Sequence, residues 1–224
     1  EGLQARGLGR QDNFAGLTSG GENHVVLTSE MGVGYAVLTR DRKWLVTHRM
    51  DQQRFQDEFA AGHGFEVVSL YWYQGSPADK VLDLTRGMKV GADLALAGAR
   101  LLGAELVDLH YPLTDLELER YAWIGQAVNG ILSRLAWELR PGMSEQEIAA
   151  RLLFEYALAG FTVDVLLVGS DERIARYRHP IPTAKSVERY VLLHPAARRW
   201  GLHANVTRLV HFGPLPRDLR QRAE

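Results

Sequence analysis

The sequence predicts an α/β N-terminal domain, a mixed sheet with flanking helices, followed by an α+β domain. Three observations carry this. Short β-rich runs and short helical patterns alternate through the first half. Tyr111-Pro112 then breaks the alternation, because Pro112 stops a strand and biases Tyr111 to an extended shape. Beyond it come two long amphipathic helices and after them only strands. The expected domains are residues 1–112 and 113–224.

The elements follow in order. Tyr35-Ala36-Val37-Leu38 and Trp44-Leu45-Val46-Thr47 flank Asp41-Arg42-Lys43, the pattern of a hairpin. Arg49 to Ala61 reads as a helix with Phe55 and Phe59 on one face. Val67 to Trp72 reads as a strand and Val81 to Arg86 as a helix. Val90 to Leu94 and Glu105 to Leu109 read as short strands around a small-residue helix, Ala97 to Leu102. The glycines at 2, 7, 9, 20 and 21 do not make a phosphate loop, since no preceding strand pattern and no Lys-Ser/Thr accompany them.

In the second half, Thr114-Asp115-Leu116-Glu117 has the form of a capping box. A helix should follow with Tyr121, Ile124, Val128, Ile131, Leu132 and Leu135 on its apolar face. Ser144-Glu145-Gln146-Glu147 repeats the signature and opens a helix that Gly160 stops. Val163 to Val168, Tyr190 to Leu193 and Leu202 to Phe212 read as strands, the last returning antiparallel from a turn near Arg198 to Gly201. Two helices must then cover one face of this sheet.

The 224 residues are 46% hydrophobic and 24% charged, an ordinary globular composition. No apolar run approaches the length of a membrane span, so no membrane partner is expected. The net charge of −1 gives no general attraction to nucleic acid. Cysteine is absent, which excludes disulfides and thiolate metal sites and points to a reducing cytoplasm. The sequence opens at Glu1 rather than Met, so a missing natural N-terminus is expected. From Arg173 to Glu224 there are 11 Lys and Arg against 3 Asp and Glu, and 15 against 24 before that. The basic end is either a surface for an anionic ligand or the complement of acidic groups earlier in the chain.

Polar residues with potential chemistry close the strand pair. Val191-Leu192-Leu193 runs into His194, ten residues follow, and then comes Asn205-Val206-Thr207-Arg208, with Gly213 a little beyond. Arg140-Pro141-Gly142-Met143-Ser144-Glu145-Gln146-Glu147-Ile148-Ala149 precedes this region, as do His179 and Pro182-Thr183. Taken together over about residues 115–213, these motifs resemble the creatinase, prolidase and aminopeptidase P family. The resemblance implies the first half of that family's pita-bread fold, with the family's smaller domain ahead of it. In the family the second half supplies a His and two Glu ligands, and this sequence reaches Glu224 before the resemblance would bring that half in. A fragment and a natural short form both remain open.

Family members bind two divalent metals of the manganese, cobalt or zinc type, and two Asp ligands fall where this chain has His194 and Asn205. Replacing two carboxylates by an imidazole and an amide removes about two negative charges beside a dication, a loss of several kcal/mol. No cofactor is therefore expected. The resemblance implies a hydrolase that acts on small peptide or amide-type C–N bonds. Creatinase, the metal-free branch, uses a histidine near the place of His179; the match there is two residues short, so Tyr177 competes for it. His203 should share a strand face with Asn205, and His194, His203 and Asn205 together form either a nitrogen-rich site or a remnant of the lost ligand set. Arg208 either contacts substrate or braces the site floor. The alternative to a hydrolase is an inactive member that binds another protein. A homodimer is expected from the family habit and from an open sheet edge.

Overall fold

The computed structural model describes residues 2–217, 220 and 221. It divides into two compact units, Glu1–Leu113 and Thr114–Glu224.

In the first unit the elements run β1 (Ala5–Arg10), α1 (Gln11–Leu17), β2 (Met31–Thr39), β3 (Lys43–His48), α2 (Gln52–Phe55), a π-helical turn (Gln56–Ala60), α3 (Ala61–His63), β4 (Glu66–Leu70), α4 (Pro77–Leu84), β5 (Val90–Ala92), β6 (Arg100–Leu101) and α5 (Ala104–His110). The sheet has the order β4-β3-β2-β1-β5-β6. Its β2–β3 hairpin and the β1–β2 pair are antiparallel, while β3–β4, β1–β5 and β5–β6 are parallel. Side-chain alternation sets the layers. Tyr35, Val37, Trp44 and Val46 pack with Val81 of α4, whereas Ala36 and Leu45 pack with Phe14, Phe55 and Phe59. Helices therefore cover both faces.

Three sequence readings need correction here. Residues 104–110 form a helix, not a strand; only Leu106 of that stretch is buried, so its apolar pattern carried little information on period. Residues 97–102 form a turn and the edge strand β6, not a helix, because Gly98 takes a left-handed φ of 72°. The glycine-rich start hides β1, where Gly9 is required: a Cβ there would lie 2.6 Å from the Tyr35 ring. The buried Asp93 carboxylate closes this corner, accepting the N–H groups of Gly9 and Arg10 and the amide of Asn13.

The second unit runs α6 (Asp115–Glu138), α7 (Glu145–Leu158), β7 (Thr162–Ser170), α8 (Glu172–Arg176), β8 (Tyr190–Arg199), β9 (Leu202–Asn205) and β10 (Arg208–His211). Thr114 and Glu117 form the predicted capping box in full. At Ser144 only half forms: its hydroxyl accepts the Glu147 N–H, but the Glu147 carboxylate turns to Arg151. Ile124, Val128, Leu132 and Leu135 of α6 and Ile148, Leu152 and Tyr156 of α7 are buried against Val168, Val191, Leu193 and Ala197 of the sheet. Each such side chain contributes about 1.5–3 kcal/mol by leaving water. The predicted strand 202–212 forms as two pieces, β9 and β10, which pair with successive stretches of the long β8. Pro195 lies between those stretches and has no N–H to extend the ladder. At the hairpin tip Trp200 has φ 54° and packs against Trp123 at 5.3 Å, with the Arg199 and Arg120 guanidinium groups 4.5 and 5.0 Å from its ring. Among the described residues no helix is long and apolar enough to cross a membrane.

Candidate functional site

The sheet of the second unit has two unlike faces. Val191, Leu193 and Ala197 of β8, with Leu202, Ala204, Val206 and Val210 opposite, pack on the helices. The alternate positions, Leu192, His194, Ala196 and Arg198 on β8 and His203, Asn205, Thr207 and Leu209 opposite, form the outer face. Every odd position from His203 to Leu209 is exposed and every even one is half-buried. Period-2 alternation thus carries His194, His203 and Asn205 to one side.

Their register differs from a direct pairing of His194 with Asn205. Asn205 lies opposite Ala196, and His203 lies opposite Arg198. His194 pairs with Leu167 on its other side and shares a 2.7 Å hydrogen bond, Nδ1 to Oγ1, with Thr207. His194 and Asn205 are therefore diagonal neighbours, about 7 Å apart along the ladder. The Asn205 amide makes no hydrogen bond among the described residues. Arg208 does not join this set. It lies on the helix side, where its guanidinium donates to the Thr207 carbonyl and to the Asn129 side chain of α6.

His179 is exposed in the loop between α8 and β8. Its neighbour Pro180 packs on Gly169, where a Cβ would stand 2.6 Å from the proline ring. Gly169 pairs with Leu192 on the outer face, so the loop carrying His179 crosses that same side of the sheet. Tyr177 is engaged elsewhere, with the Arg173 guanidinium 5.1 Å from its ring centre.

The second unit also holds two buried carboxylates. Glu145, wholly inaccessible, accepts from the backbone N–H and hydroxyl of both Ser170 and Thr183 and from Arg173 Nε. Burial alone would raise its carboxyl, but the hydrogen bonds from Thr183 and Ser170 outweigh burial and hold it below the usual carboxylate range. Asp171, at a left-handed φ of 49°, accepts the N–H groups of Glu188, Arg189 and Tyr190. Burial again pushes upward, and those three N–H groups with the Lys185 charge bring the carboxyl below its usual range. These two anions and the exposed Asp164 are the complement of the basic end: Arg173 meets Glu145, Lys185 meets Asp171, and Arg198 meets Asp164.

Asp164 is the outer-face residue that the sequence reading missed. The ladder between β7 and β8 slips between Val163 and Val165, and this bulge leaves both Asp164 and Val165 exposed. The signal was present: an aspartate inside the apolar run Thr162-Val163-Asp164-Val165-Leu166 is out of place in a buried strand.

The donor set does not suit a pair of divalent metals. The two positions that the resemblance assigns to metal ligands, His194 and Asn205, offer one imidazole, already bonded to Thr207, and one amide. A neutral amide oxygen is a weak donor to divalent ions of the manganese, cobalt or zinc type, and no carboxylate at these two positions offsets their charge. The nearby Asp164 carboxylate is committed to Arg198, whose positive charge opposes a cation. Among the described residues no group of three or more His, Asp and Glu side chains is placed to hold a metal ion.

No protein-family model matches the sequence, and no curated protein matches it either. Solved structures do match in fold. An Xaa-Pro dipeptidase from Bacillus anthracis aligns with a TM-score of 0.71 at 19% identity, over 98% of this chain and 63% of that one. An X-Pro aminopeptidase from Thermotoga maritima gives 0.73 at 17%, over 98% and 64%. Prolidase from Pyrococcus furiosus gives 0.71 at 15%, over 98% and 65%. The fold is the one these peptidases share, as the motifs imply, and the chain spans less than two thirds of the length of each.

Proposed function

We propose that the chain is a divergent member of the prolidase, Xaa-Pro aminopeptidase and creatinase-like family that hydrolyses a small amide-type C–N bond without a two-metal centre. The observation that carries this is the outer sheet face. The positions where the family keeps anionic ligands hold an imidazole and an amide, yet they still share one face of the sheet as diagonal neighbours. Such a face suits a neutral amide substrate better than a pair of cations. Its half-exposed imidazoles supply the acid–base group that metal-free hydrolysis needs.

The test is hydrolysis of small amides and Xaa-Pro dipeptides by protein stripped of metal. Turnover that survives a chelator and does not rise with Mn²⁺ or Co²⁺ is the expected result. One or more equivalents of tightly bound metal, with activity that depends on it, would refute the proposal. His179→Ala tests the residue that the creatinase resemblance assigns as acid–base. Absence of all turnover, together with capture of a protein ligand, would favour an inactive binding module.

A further inference from the structure

One end of the sheet in the first unit carries a cleft of about 490 Å³. Leu3, Gln4, Arg6, Arg40, Asp41 and Met88 line it. The β1–β2 ladder brings them together. Arg6 stands opposite Leu38 and Ala5 opposite Thr39, so Gln4 and Arg40 flank the last pair as the ladder ends. Leu3 is seated on Gly91, where a Cβ would lie 2.7 Å from its Cδ1. Gln4 Oε1 accepts the Lys89 N–H at 2.9 Å, which leaves the side-chain NH₂ to donate elsewhere.

The charges of this cleft are not spent within the chain. Among the described residues no carboxylate forms an ion pair with Arg6 or Arg40, and no cation forms one with Asp41. Yet Asp41 lies between Arg40 and Arg42 in sequence. Cations nearby on the same strands are engaged: Arg10 meets Asp12 and Glu30, and the Arg42 guanidinium lies 5.8 Å from the centre of the Trp44 ring. A solvated turn alone needs neither a cleft nor the two apolar walls that Leu3 and Met88 give this one.

We infer that the cleft binds a free α-amino acid with an apolar side chain. The ligand carboxylate accepts from the Arg6 and Arg40 guanidinium groups and from the Gln4 NH₂. The ligand ammonium faces the Asp41 carboxylate, and the side chain lies between Leu3 and Met88. A guanidinium suits a carboxylate because its planar fork can offer two N–H groups to the two oxygens. Asp41 is what separates a zwitterion from a simple anion, since phosphate would meet the arginines but be repelled by this carboxylate. Exposed ion pairs alone hold a ligand weakly, and burial of the apolar side chain supplies the remaining attraction. Binding is reversible and makes no covalent bond. The cleft lies wholly within the first unit, so it stands or falls apart from the hydrolysis proposed for the second.

Titration of the full chain with L-leucine, followed by ¹H–¹⁵N correlation NMR at the amides of Gln4, Arg6 and Arg40, tests this. Leucine should bind with a Kd of about 1 mM or below. Three analogues should each bind at least about 10-fold more weakly: 4-methylpentanoate, which lacks the ammonium, leucinamide, which lacks the carboxylate, and glycine, which lacks the apolar side chain. Arg6→Ala and Arg40→Ala should each weaken leucine binding by about 10-fold. Asp41→Asn should remove the advantage of leucine over 4-methylpentanoate. All three side chains are exposed, so the variants should keep the wild-type circular dichroism. Absence of any shift at about 20 mM leucine, twentyfold above the expected Kd, would overturn the inference. So would leucine binding that survives both arginine substitutions, or inorganic phosphate that binds as tightly as leucine.

Discussion

Glu145 shows how one residue can serve a motif and yet mean more than the motif. In sequence it is the first residue of a helix behind a capping serine. In the structure it is a buried anion that joins α7 to Ser170, Arg173 and Thr183. Glu145→Gln replaces an acceptor-only group by one that presents N–H to donors, so stability should fall by about 3 kcal/mol in urea unfolding. Its pH dependence has a definite sign. The folded carboxyls of Glu145 and Asp171 lie below their ordinary values. Their stabilisation is therefore complete above the unfolded-state values, near pH 4, and is lost as pH falls through the folded ones. The wild type should lose stability steeply in that acid window, and Glu145→Gln should show a shallower decline. Asp164 and Glu145 were both visible as letters, but their partners were not. Arg198 lies 34 residues from Asp164, and Thr183 lies 38 from Glu145.

At the level of elements, legibility followed the strength of the local pattern. Helix α6 combined a full capping box with an unbroken apolar stripe, and it forms where expected. The β2–β3 hairpin alternated cleanly and also forms. Helix α5 was misread because Leu106, Val107 and Leu109 fit either period when only one of them is buried. Strand β1 was unreadable because two of its positions, Gly7 and Gly9, have no side chain to alternate. The β8–β9 tip tests how opposed local terms balance. A left-handed Trp200 costs about 1–2 kcal/mol relative to glycine. Against this stand the Trp123 contact, at about 0.5–1.5 kcal/mol, and two guanidinium contacts, at about 0.5–1 kcal/mol each, with partial burial in addition. Packing outweighs strain, so Trp200→Gly should destabilise the protein by about 1–2 kcal/mol in thermal unfolding, although it relieves the backbone.

For the whole molecule, each apolar cluster lies within one unit. The cluster of α6, α7 and β7–β10 draws only on residues beyond 113, and the other three only on residues before it. A chain of residues 114–224 should therefore unfold cooperatively alone, with near-ultraviolet dichroism from Trp123 and Trp200, which pack on each other. A gradual, signal-free melt would show that the core needs the first unit. The order of elements was legible at this scale, as was the face the helices cover. The β7 bulge was not, because a slip of one residue depends on the partner strand, which local pattern does not reveal.

The stretch 183–187 has no regular structure, yet it is laced to the start of α7 from both sides. Gly142, Glu145 and Gln146 donate to Val187, Lys185 and Thr183, and Val187 donates back to Met143. It works as a ruler. Chain length between Thr183 and the first residue of β8 is fixed by these rungs, so an inserted or deleted residue there would break one of them. The loop bearing His179 has its own anchor upstream of these rungs, where Pro180 packs on Gly169 and the Ile181 carbonyl accepts Arg173, so the approach to His194 is held at both of its ends.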